Sequence, residues 1–289
     1  MRKQQKQTLK FFVENAKNWL SEDVFNNKKI QSSQQQRNMF VYNYIKKNRP
    51  NNFLDIGCGT GNLVNKVFFY VKKNLSGIDF SKSMIDLANK KKINERIQYK
   101  CVDILKFKSN IKYDVISANG FIEYFSKKEL ILIFSKIKKL LTKNGKIFFS
   151  VRNRLFNVFS LNEFTKLEMN SNKIHNLLRE SFAIVNSSFS KFKRNKSLKF
   201  DIIRYKQPNT GVNVSLINQY TPLQIIKFIE KLGFEAIEIA PINYHSVIPQ
   251  YKDTNKIVDI FNSNIIRKDS LNKKLIPFSS SFIIVAKIK

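Results

Sequence analysis

The chain has 289 residues, and 43% of them are hydrophobic, which is enough for one sizeable core with an insertion. It contains no run of about 18 apolar residues, the length needed to cross a membrane, and its basic start lacks the features of a signal peptide. Cys58 and Cys101 are too few for a disulfide scaffold and lack metal-ligand spacing, so we expect core-packed thiols, no metal site and a cytoplasmic protein. The net charge of +31 leaves a nucleic-acid partner open, but the basic residues are mostly lysines spread along the chain, which favours a solvated surface.

The first 150 residues combine a helical segment with an alternation of strands and helices. Residues 1–50 read as an N-terminal helical cover, with a helix at Gln34–Lys47 that ends before Pro50. The following pattern over residues 51–151 predicts a parallel sheet with right-handed crossovers. Its predicted strands are Phe53–Ile56, Leu75–Ile78, Ile97–Cys101, Tyr113–Ser117 and Lys146–Val151, and its predicted helices are Leu63–Val71, Lys82–Lys91 and Lys127–Leu141.

The alternation stops after Val151 and resumes near residue 221. Residues 152–220 are polar and irregular, with one predicted helix at Leu161–Phe182, and we interpret them as an inserted lid over an acceptor site. Residues 221–289 return to the core with a helix at Pro222–Leu232 and strands at Phe234–Ile239 and Ser281–Lys287. The predicted fold class is therefore α/β, a doubly wound and mostly parallel sheet with a helical cover and a lid.

Three glycines lie at alternate positions directly after the first strand. The segment Asp55-Ile56-Gly57-Cys58-Gly59-Thr60-Gly61 ends a buried strand and precedes a helix. Glycine at such a turn lets the backbone bend sharply and approach a ligand closely. A nicotinamide cofactor is usually bound by glycines spaced Gly-x-Gly-x-x-Gly, which this segment does not match.

Two further carboxylates follow the next two strands. Asp79 lies 24 residues after Asp55, close to the spacing of an acid that holds ribose hydroxyls. Asp103 follows the third strand, where an acid can accept a hydrogen bond from an adenine amino group while Val102 and Ile104 flank the ring.

These elements resemble class I S-adenosylmethionine-dependent methyltransferases, over about residues 51–151. In that family the glycine segment is motif I, Asp79 matches the ribose-binding acid, Asp103 matches the adenine-contacting acid, and residues 117–124 match the segment beside the methyl-donor pocket. The resemblance implies a Rossmann-like sheet of seven strands with the last one antiparallel, and S-adenosyl-L-methionine as cofactor. The cofactor-binding residues it implies are Asp55, Gly57, Cys58, Gly59, Gly61, Asp79, Phe80, Asp103, Ile104 and Asn119. Asp55 is also compatible with a structural role in holding loop amides.

A general base is required only if the acceptor must lose a proton. The sequence has two histidines, and His245, just after a predicted strand, is the candidate base; a structural or substrate-orienting role is the alternative. His175 lies in the insertion, and Glu123 and Tyr124 are secondary candidates.

The acceptor is predicted from a fainter resemblance. The segment Arg152–Thr165, with the later Tyr244-His245, is similar to methyltransferases associated with bacterial surface-polysaccharide biosynthesis. This similarity implies a small acceptor, such as a sugar or its nucleotide- or lipid-linked form, bound by Arg152, Arg154 and Tyr244; a role as surface charges remains open for the two arginines. RNA methylation at ribose or guanine, a quinone-type acceptor, a protein acceptor, and cofactor binding without transfer are the alternatives. The Asn/Asp-Pro-Pro-aromatic motif of adenine methyltransferases is not present after strand four.

Overall fold

The structure of the protein is a computed structural model that describes Lys10 and residues 31–199, 203–205, 217–252 and 256–289. Most of the predicted cover at residues 1–30 therefore lies outside the described residues. In the described part, the strands are β1 (Asn52–Ile56), β2 (Asn74–Asp79), β3 (Ile97–Cys101), β4 (Tyr113–Ala118), β5 (Leu141–Arg152), β6 (Ile203–Tyr205), β7 (Ile217–Gln219), β8 (Phe234–Tyr244) and β9 (Ser279–Ile288). The α-helices are α1 (Ser33–Asn48), α2 (Asn62–Val67), α3 (Lys82–Lys90), α4 (Lys127–Leu140), α5 (Glu163–Asn170), α6 (Ile174–Asn186), α7 (Phe189–Phe192), α8 (Pro222–Lys231), α9 (Pro249–Lys252) and α10 (Lys256–Lys268).

Seven of these strands form one sheet in the order β3-β2-β1-β4-β5-β9-β8. The pairs among β1 to β5 are parallel, whereas β9 runs antiparallel to both β5 and β8. The predicted seven-stranded, mostly parallel sheet with an antiparallel last strand is confirmed. The chain order reverses between β1 and β4, and doubly wound folds bind ligands at the carboxyl ends of strands beside such a point.

Both faces of the sheet are covered, as consecutive strand residues show. Phe53 and Phe148 belong to one buried cluster, with α1 and α2, whereas Leu54 and Phe149 belong to the other, with α4 and α8. All four side chains are fully buried. A parallel sheet buried on both faces explains why its strands read as continuous apolar runs in the sequence.

Capping side chains fix the starts of the helices that pack on the sheet. Ser126 and Glu129 form a capping box at the start of α4, and Thr221 and Gln224 form another at α8, where Pro222 occupies the first turn. At α1 the same device uses Ser32, which accepts from the amide of Gln35. The first turn of α1 lines the cavity described below, together with residues at the carboxyl ends of the strands.

The inserted region and the C-terminal part of the core each differ from the sequence prediction. The single helix expected at Leu161–Phe182 is two helices, α5 and α6, separated where Asn172 has a φ of +53°. Helix α10 was not predicted, and β8 continues five residues beyond Ile239. The segment 206–216 of the predicted insertion lies outside the described residues.

None of the helices in the described part of the chain is long and apolar enough to cross a membrane. The cytoplasmic location stays a prediction.

Candidate active site

The glycine segment forms a tight loop whose conformation only glycine adopts readily. Gly57, Gly59 and Gly61 have φ angles of +72°, +54° and +77°. Such angles cost an L-residue about 1–2 kcal/mol. A Cβ on Gly61 would overlap the hydroxyl of Tyr99, which donates to the Gly61 carbonyl at 3.0 Å. A Cβ on Gly59 would instead meet open space, so this backbone faces the cavity with no protein atom opposite it.

Asp79 fastens this loop to the end of β2. Its Oδ2 accepts from the amide of Gly59 at 3.1 Å, and its Oδ1 accepts from the amide of Ser81 at 2.8 Å. Burial raises the pKa of Asp79, and these amide hydrogen bonds oppose the shift. Asp79 therefore shapes the loop as well as lining the cavity.

Asp55 is deeper in the fold, at the end of β1. It is 6% exposed, and Ser117 on the neighbouring strand donates a hydrogen bond to its Oδ1. Burial raises the pKa of Asp55 to about 7, although the Ser117 hydrogen bond acts in the opposite direction. The carboxylate still lines the cavity, so burial and ligand access coexist at this position.

Asp103 and its apolar neighbours lie beyond β3. The Leu105 amide donates to Asp103 Oδ1 at 2.8 Å. Asp103 and Val102 line the main cavity, and both also border a small adjoining pocket with Ile104 and Phe121. This arrangement pairs one polar acceptor with apolar walls, which suits a planar heterocycle with an exocyclic amine.

The cavity has a volume of about 760 Å³ and is lined by two sets of residues. A rear half contains the glycine loop together with Asp55, Asp79, Phe80 and Asp103. A front half consists of the first turn of α1, the segment 119–125 after β4, and Arg152 at the end of β5. Of the residues that the family resemblance assigned to the cofactor, Gly61 and Ile104 do not line this cavity; Gly61 caps α2 and Ile104 borders the adjoining pocket.

The front half holds a group of charged side chains. Glu123 Oε1 lies 3.8 Å from Arg152 Nε, and the Glu123 side chain is 3% exposed. Arg37, from α1, also lines the cavity, and a Cβ on Gly120 would lie 2.8 Å from one of its guanidinium nitrogens. Burial lowers the pKa of Arg37, an effect that nearby Glu123 opposes. We refer to Arg37, Glu123 and Arg152 as the front cluster.

Arg154 does not take the acceptor-binding role expected for it. Its side chain is 1% exposed and forms a two-pronged ion pair with Glu168, Nε to Oε1 and NH2 to Oε2, both at 2.8 Å. Asn157 also donates to Glu168 Oε1 at 2.9 Å. Arg154 therefore ties the start of the insertion to α5 inside the protein and does not line the cavity.

His245 and Tyr244 lie at the end of β8, away from the cavity lining. His245 is 8% exposed, its ring packs on Phe156 with 4.6 Å between centroids, and its amide donates to the Phe278 carbonyl at 2.9 Å. The structure thus gives His245 a packing environment and does not bring it to the residues expected to bind the cofactor. His175 is exposed on α6.

The two cysteines differ from each other. Cys58 is buried in the glycine loop, where burial raises the pKa of its thiol well above the ordinary value. Cys101 is exposed, so the expectation of a core thiol was wrong for this residue. It ends β3, an edge strand of the sheet, where one flank has no neighbouring strand.

Sequence reasoning missed Arg37, together with Ser32, Ser33 and Gln34 at the start of α1. No local motif marks these positions. The available signal was the polar start of a helix preceding β1, since a helix that covers the carboxyl edge of the sheet presents its first turn to the ligand crevice.

Comparison with known proteins agrees with this geometry. Residues 54–147 match the model of a family described as a methyltransferase domain. Malonyl-[acyl-carrier protein] O-methyltransferase from Bacillus cytotoxicus is 32% identical over 105 residues, 36% of each chain. Its counterpart from Priestia megaterium is 34% identical over 98 residues, 34% of this chain and 35% of that protein. The match thus spans about a third of the length of these curated relatives.

A solved structure extends the likeness over the whole fold. Magnesium protoporphyrin IX methyltransferase from Synechocystis, with bound S-adenosylhomocysteine, has a TM-score of 0.55 and 13% identity, and the match covers 97% of both chains. At this identity the likeness concerns the fold. The strand order and the glycine loop give the described part of the chain the Rossmann-like fold of class I S-adenosylmethionine-dependent methyltransferases, and residues 54–147 match a methyltransferase domain.

Proposed function

We propose that this protein transfers a methyl group from S-adenosyl-L-methionine to a small acceptor bound in the front half of the cavity. The observation that carries the proposal is the continuity of the two halves: the glycine loop and three carboxylates share one cavity with the front cluster. A cofactor held behind and an acceptor held in front would thus meet without crossing bulk solvent.

The residues present fit the cofactor. Asp79 would hold the ribose hydroxyls, Asp103 would accept from the adenine amine, and the open face of Gly59 leaves room for the cofactor against the backbone. Asn119 adds support, because neither its side-chain oxygen nor its nitrogen has a hydrogen-bond partner although both are buried in the cavity wall. Buried amides normally have partners, so a polar ligand is expected there.

When bound, S-adenosyl-L-methionine supplies an electrophilic methyl group on a sulfonium sulfur. The protein's own part is to hold the acceptor in line with that group and to keep water out. Orientation of this kind contributes much of the rate in enzymes that join two bound reactants. The first turn of α1 forms part of the wall of the front half.

The class of acceptor is the finer part of the proposal. A sugar-linked acceptor follows from the resemblance of residues 152–165, but its expected ligand Arg154 is engaged with Glu168. The relatives reported above are named for a malonyl group on acyl-carrier protein. Arg37 and Arg152 favour an acceptor that carries negative charge, which both classes include.

The proposal is tested by transfer of isotopically labelled methyl groups from the cofactor into a fractionated cell extract, alongside calorimetric titration with S-adenosylhomocysteine. Asp79→Asn should weaken that binding by about tenfold or more, since hydrogen bonds to a charged group contribute about 1.5–3 kcal/mol. Asp86→Asn, on the exposed side of α3, is the matched control and should bind normally.

Three results would count against the proposal. Failure of the wild-type protein to bind S-adenosylhomocysteine would refute cofactor use. Binding without label transfer into any fraction would indicate a cofactor-binding protein. Label in nuclease-sensitive material, with strongly salt-dependent binding, would point to RNA as the acceptor.

A further inference from the structure

The front cluster contains more positive than negative charge. Arg37 and Arg152 each contribute a guanidinium, and Glu123 is the carboxylate between them. One positive charge therefore remains without a matching carboxylate among the described residues of this cluster. Helix α1, which has 16 residues, adds to this charge, because its N-terminal residues Ser32 and Ser33 line the same space and the N-terminus of a helix carries partial positive charge.

The same cluster has unused hydrogen-bonding atoms. Arg37 Nε, Arg152 Nε and Glu123 Oε2 are buried, and none of them has a hydrogen-bond partner in the described protein. The Glu123 side chain is 3% exposed, so bulk water does not reach it freely. Buried polar groups in folded proteins are nearly always paired, so the two guanidinium donors indicate a missing acceptor, whereas Glu123 Oε2 is an acceptor that needs a donor.

The position of Arg37 places this missing acceptor beside the cofactor half. Its guanidinium lies against Gly120, in the segment that follows β4. The next residue in that segment, Phe121, lies close to Gly57 of the glycine loop. Gly120 in turn donates its amide to Ser150 on β5 at 2.7 Å. The Arg37 guanidinium and the glycine loop therefore lie next to two consecutive residues of the same segment, Gly120 and Phe121.

From these observations we infer that the methyl acceptor is a carboxylate, held by Arg37 and Arg152, and that Arg37 is the residue that determines this specificity. The inference rests on the proposed function and names its substrate class. A guanidinium presents paired donors that match the two oxygens of a carboxylate. A single negative charge would also balance the front cluster, whereas a phosphate monoester carries nearly two at neutral pH.

A carboxylate acceptor also agrees with the chemistry of the front half, since Asp55, whose pKa of about 7 would suit a base, belongs to the rear half. Among the described residues that line the cavity there is no histidine. Burial raises the pKa of Tyr124, which keeps its phenol protonated, and the Glu123 carboxylate is already the ion-pair partner of Arg152. A hydroxyl acceptor would need a base, but a carboxylate is already ionised at neutral pH.

The electron balance of the transfer is simple for this acceptor. A carboxylate oxygen forms a bond to the methyl carbon with its own lone pair, and the electrons of the broken sulfur–methyl bond remain on sulfur. The acceptor becomes a neutral methyl ester, the sulfonium becomes a neutral thioether, and no proton moves. The two arginines therefore need only orient the carboxylate, with one of its oxygens facing the methyl group.

The chemical stability of the labelled product tests the acceptor class even while the acceptor itself is unidentified. Methyl esters release volatile methanol in mild alkali, whereas methyl ethers and methylated amines do not. We expect the label transferred by the wild-type protein into extract to be alkali-labile. Alkali-stable label would overturn the carboxylate assignment and leave the proposed methyl transfer intact; failure to bind S-adenosylhomocysteine would refute the proposed function itself.

Variants test the role of Arg37. Arg37→Gln should lower transfer by roughly ten- to hundredfold, because a charge-assisted paired interaction is lost, while S-adenosylhomocysteine affinity stays within about twofold. A loss of S-adenosylhomocysteine affinity as large as the loss of transfer would assign Arg37 to the carboxylate of the cofactor and overturn the inference. Arg37→Lys keeps the charge without the paired donors and should fall between the two. Arg179→Gln, exposed on α6, is the control and should match the wild type. Normal transfer by Arg37→Gln would overturn the assignment of this residue.

A binding measurement decides the matter if no label is transferred. In the presence of S-adenosylhomocysteine, malonate and glucuronate should raise the melting temperature of the wild-type protein more than malonamide and glucuronamide do, because a ligand of the native state stabilises it. The difference should vanish in Arg37→Gln and persist in Arg179→Gln. Equal shifts with acids and amides would overturn the inference.

Discussion

Replacement of Glu168 by glutamine tests how α5 is held to the start of the insertion. The Glu168 side chain is fully buried and accepts three hydrogen bonds, two from Arg154 and one from Asn157. Glutamine has nearly the same shape, but it removes the negative charge and turns one acceptor into a donor that faces the guanidinium. An unpaired buried charge costs about 3–5 kcal/mol, so we expect the free energy of unfolding to fall by about that amount.

The neighbouring pair of Glu163 and Lys166 provides the control. Both side chains belong to the same helix, α5, and are about three-quarters exposed, at a separation of 3.5 Å. Glu163→Gln should change stability by less than about 1 kcal/mol, because solvent screens an exposed pair. Urea denaturation followed by circular dichroism measures both variants. If the free energy of unfolding of Glu168→Gln is within about 1 kcal/mol of that of Glu163→Gln, the buried pair does not anchor α5 to the start of the insertion.

Three further predictions concern the site. Gly59→Ala should mainly weaken S-adenosylhomocysteine binding in calorimetry, because its Cβ enters the cavity, whereas Gly61→Ala should mainly lower stability in urea, because its Cβ overlaps Tyr99; equal loss of stability would contradict this. His245→Ala should destabilise the protein by about 1–3 kcal/mol but keep its turnover within a few-fold of the wild type. A loss of turnover above about a hundredfold, with intact cofactor binding, would support the general-base role of His245. Asp55→Asn should gain stability relative to the wild type as the pH rises from 3.8, the ordinary pKa of the carboxyl, to about 7, its pKa in the folded protein. Burial disfavours the ionised carboxylate of the wild type over that range, so no gain is expected below it. A constant difference in the free energy of unfolding, measured in urea across this pH range, would refute the prediction.

The strands and most core helices could be predicted because local patterns report them. Phe53 and Leu54 are apolar in succession because each faces a different buried cluster, and capping boxes mark α4 and α8. Helix α10 gives no such signal. Its buried positions include Asn262 and Ser263, while Ile257 and Phe261 are exposed, so its polarity does not follow the helical period.

The break between α5 and α6 also has a local cause that the sequence conceals. Asn172 adopts a left-handed φ of +53°, which asparagine tolerates better than most residues. An asparagine is not an obligatory break, however, and apolar residues recur on both sides of it. The periodicity alone therefore favoured one long helix over two.

The rear half of the site could be predicted residue by residue, whereas the front half could not. Asp55, Gly57 and Gly59 form one continuous segment, and Asp79 and Asp103 each follow a strand. The front cluster is assembled from α1, the segment after β4 and the end of β5, which meet only in the folded chain. Arg37 belongs to no local ligand motif, and the polar start of α1 was too general a signal to single it out.

The backbone conformation directs the side chains of Arg152 and Arg154 to different places. Residues two apart share a face in a strand, which would send both guanidiniums towards the acceptor. Strand β5 ends at Arg152, however, and Arg154 has helical dihedral angles that lead into the short 3₁₀ helix Leu155–Val158. The chain direction therefore changes between the two arginines, so that Arg152 faces the cavity and Arg154 meets Glu168. The proposed binding of the acceptor and the attachment of α5 consequently involve different arginines, and α5 is held in place without using the charge that faces the cavity.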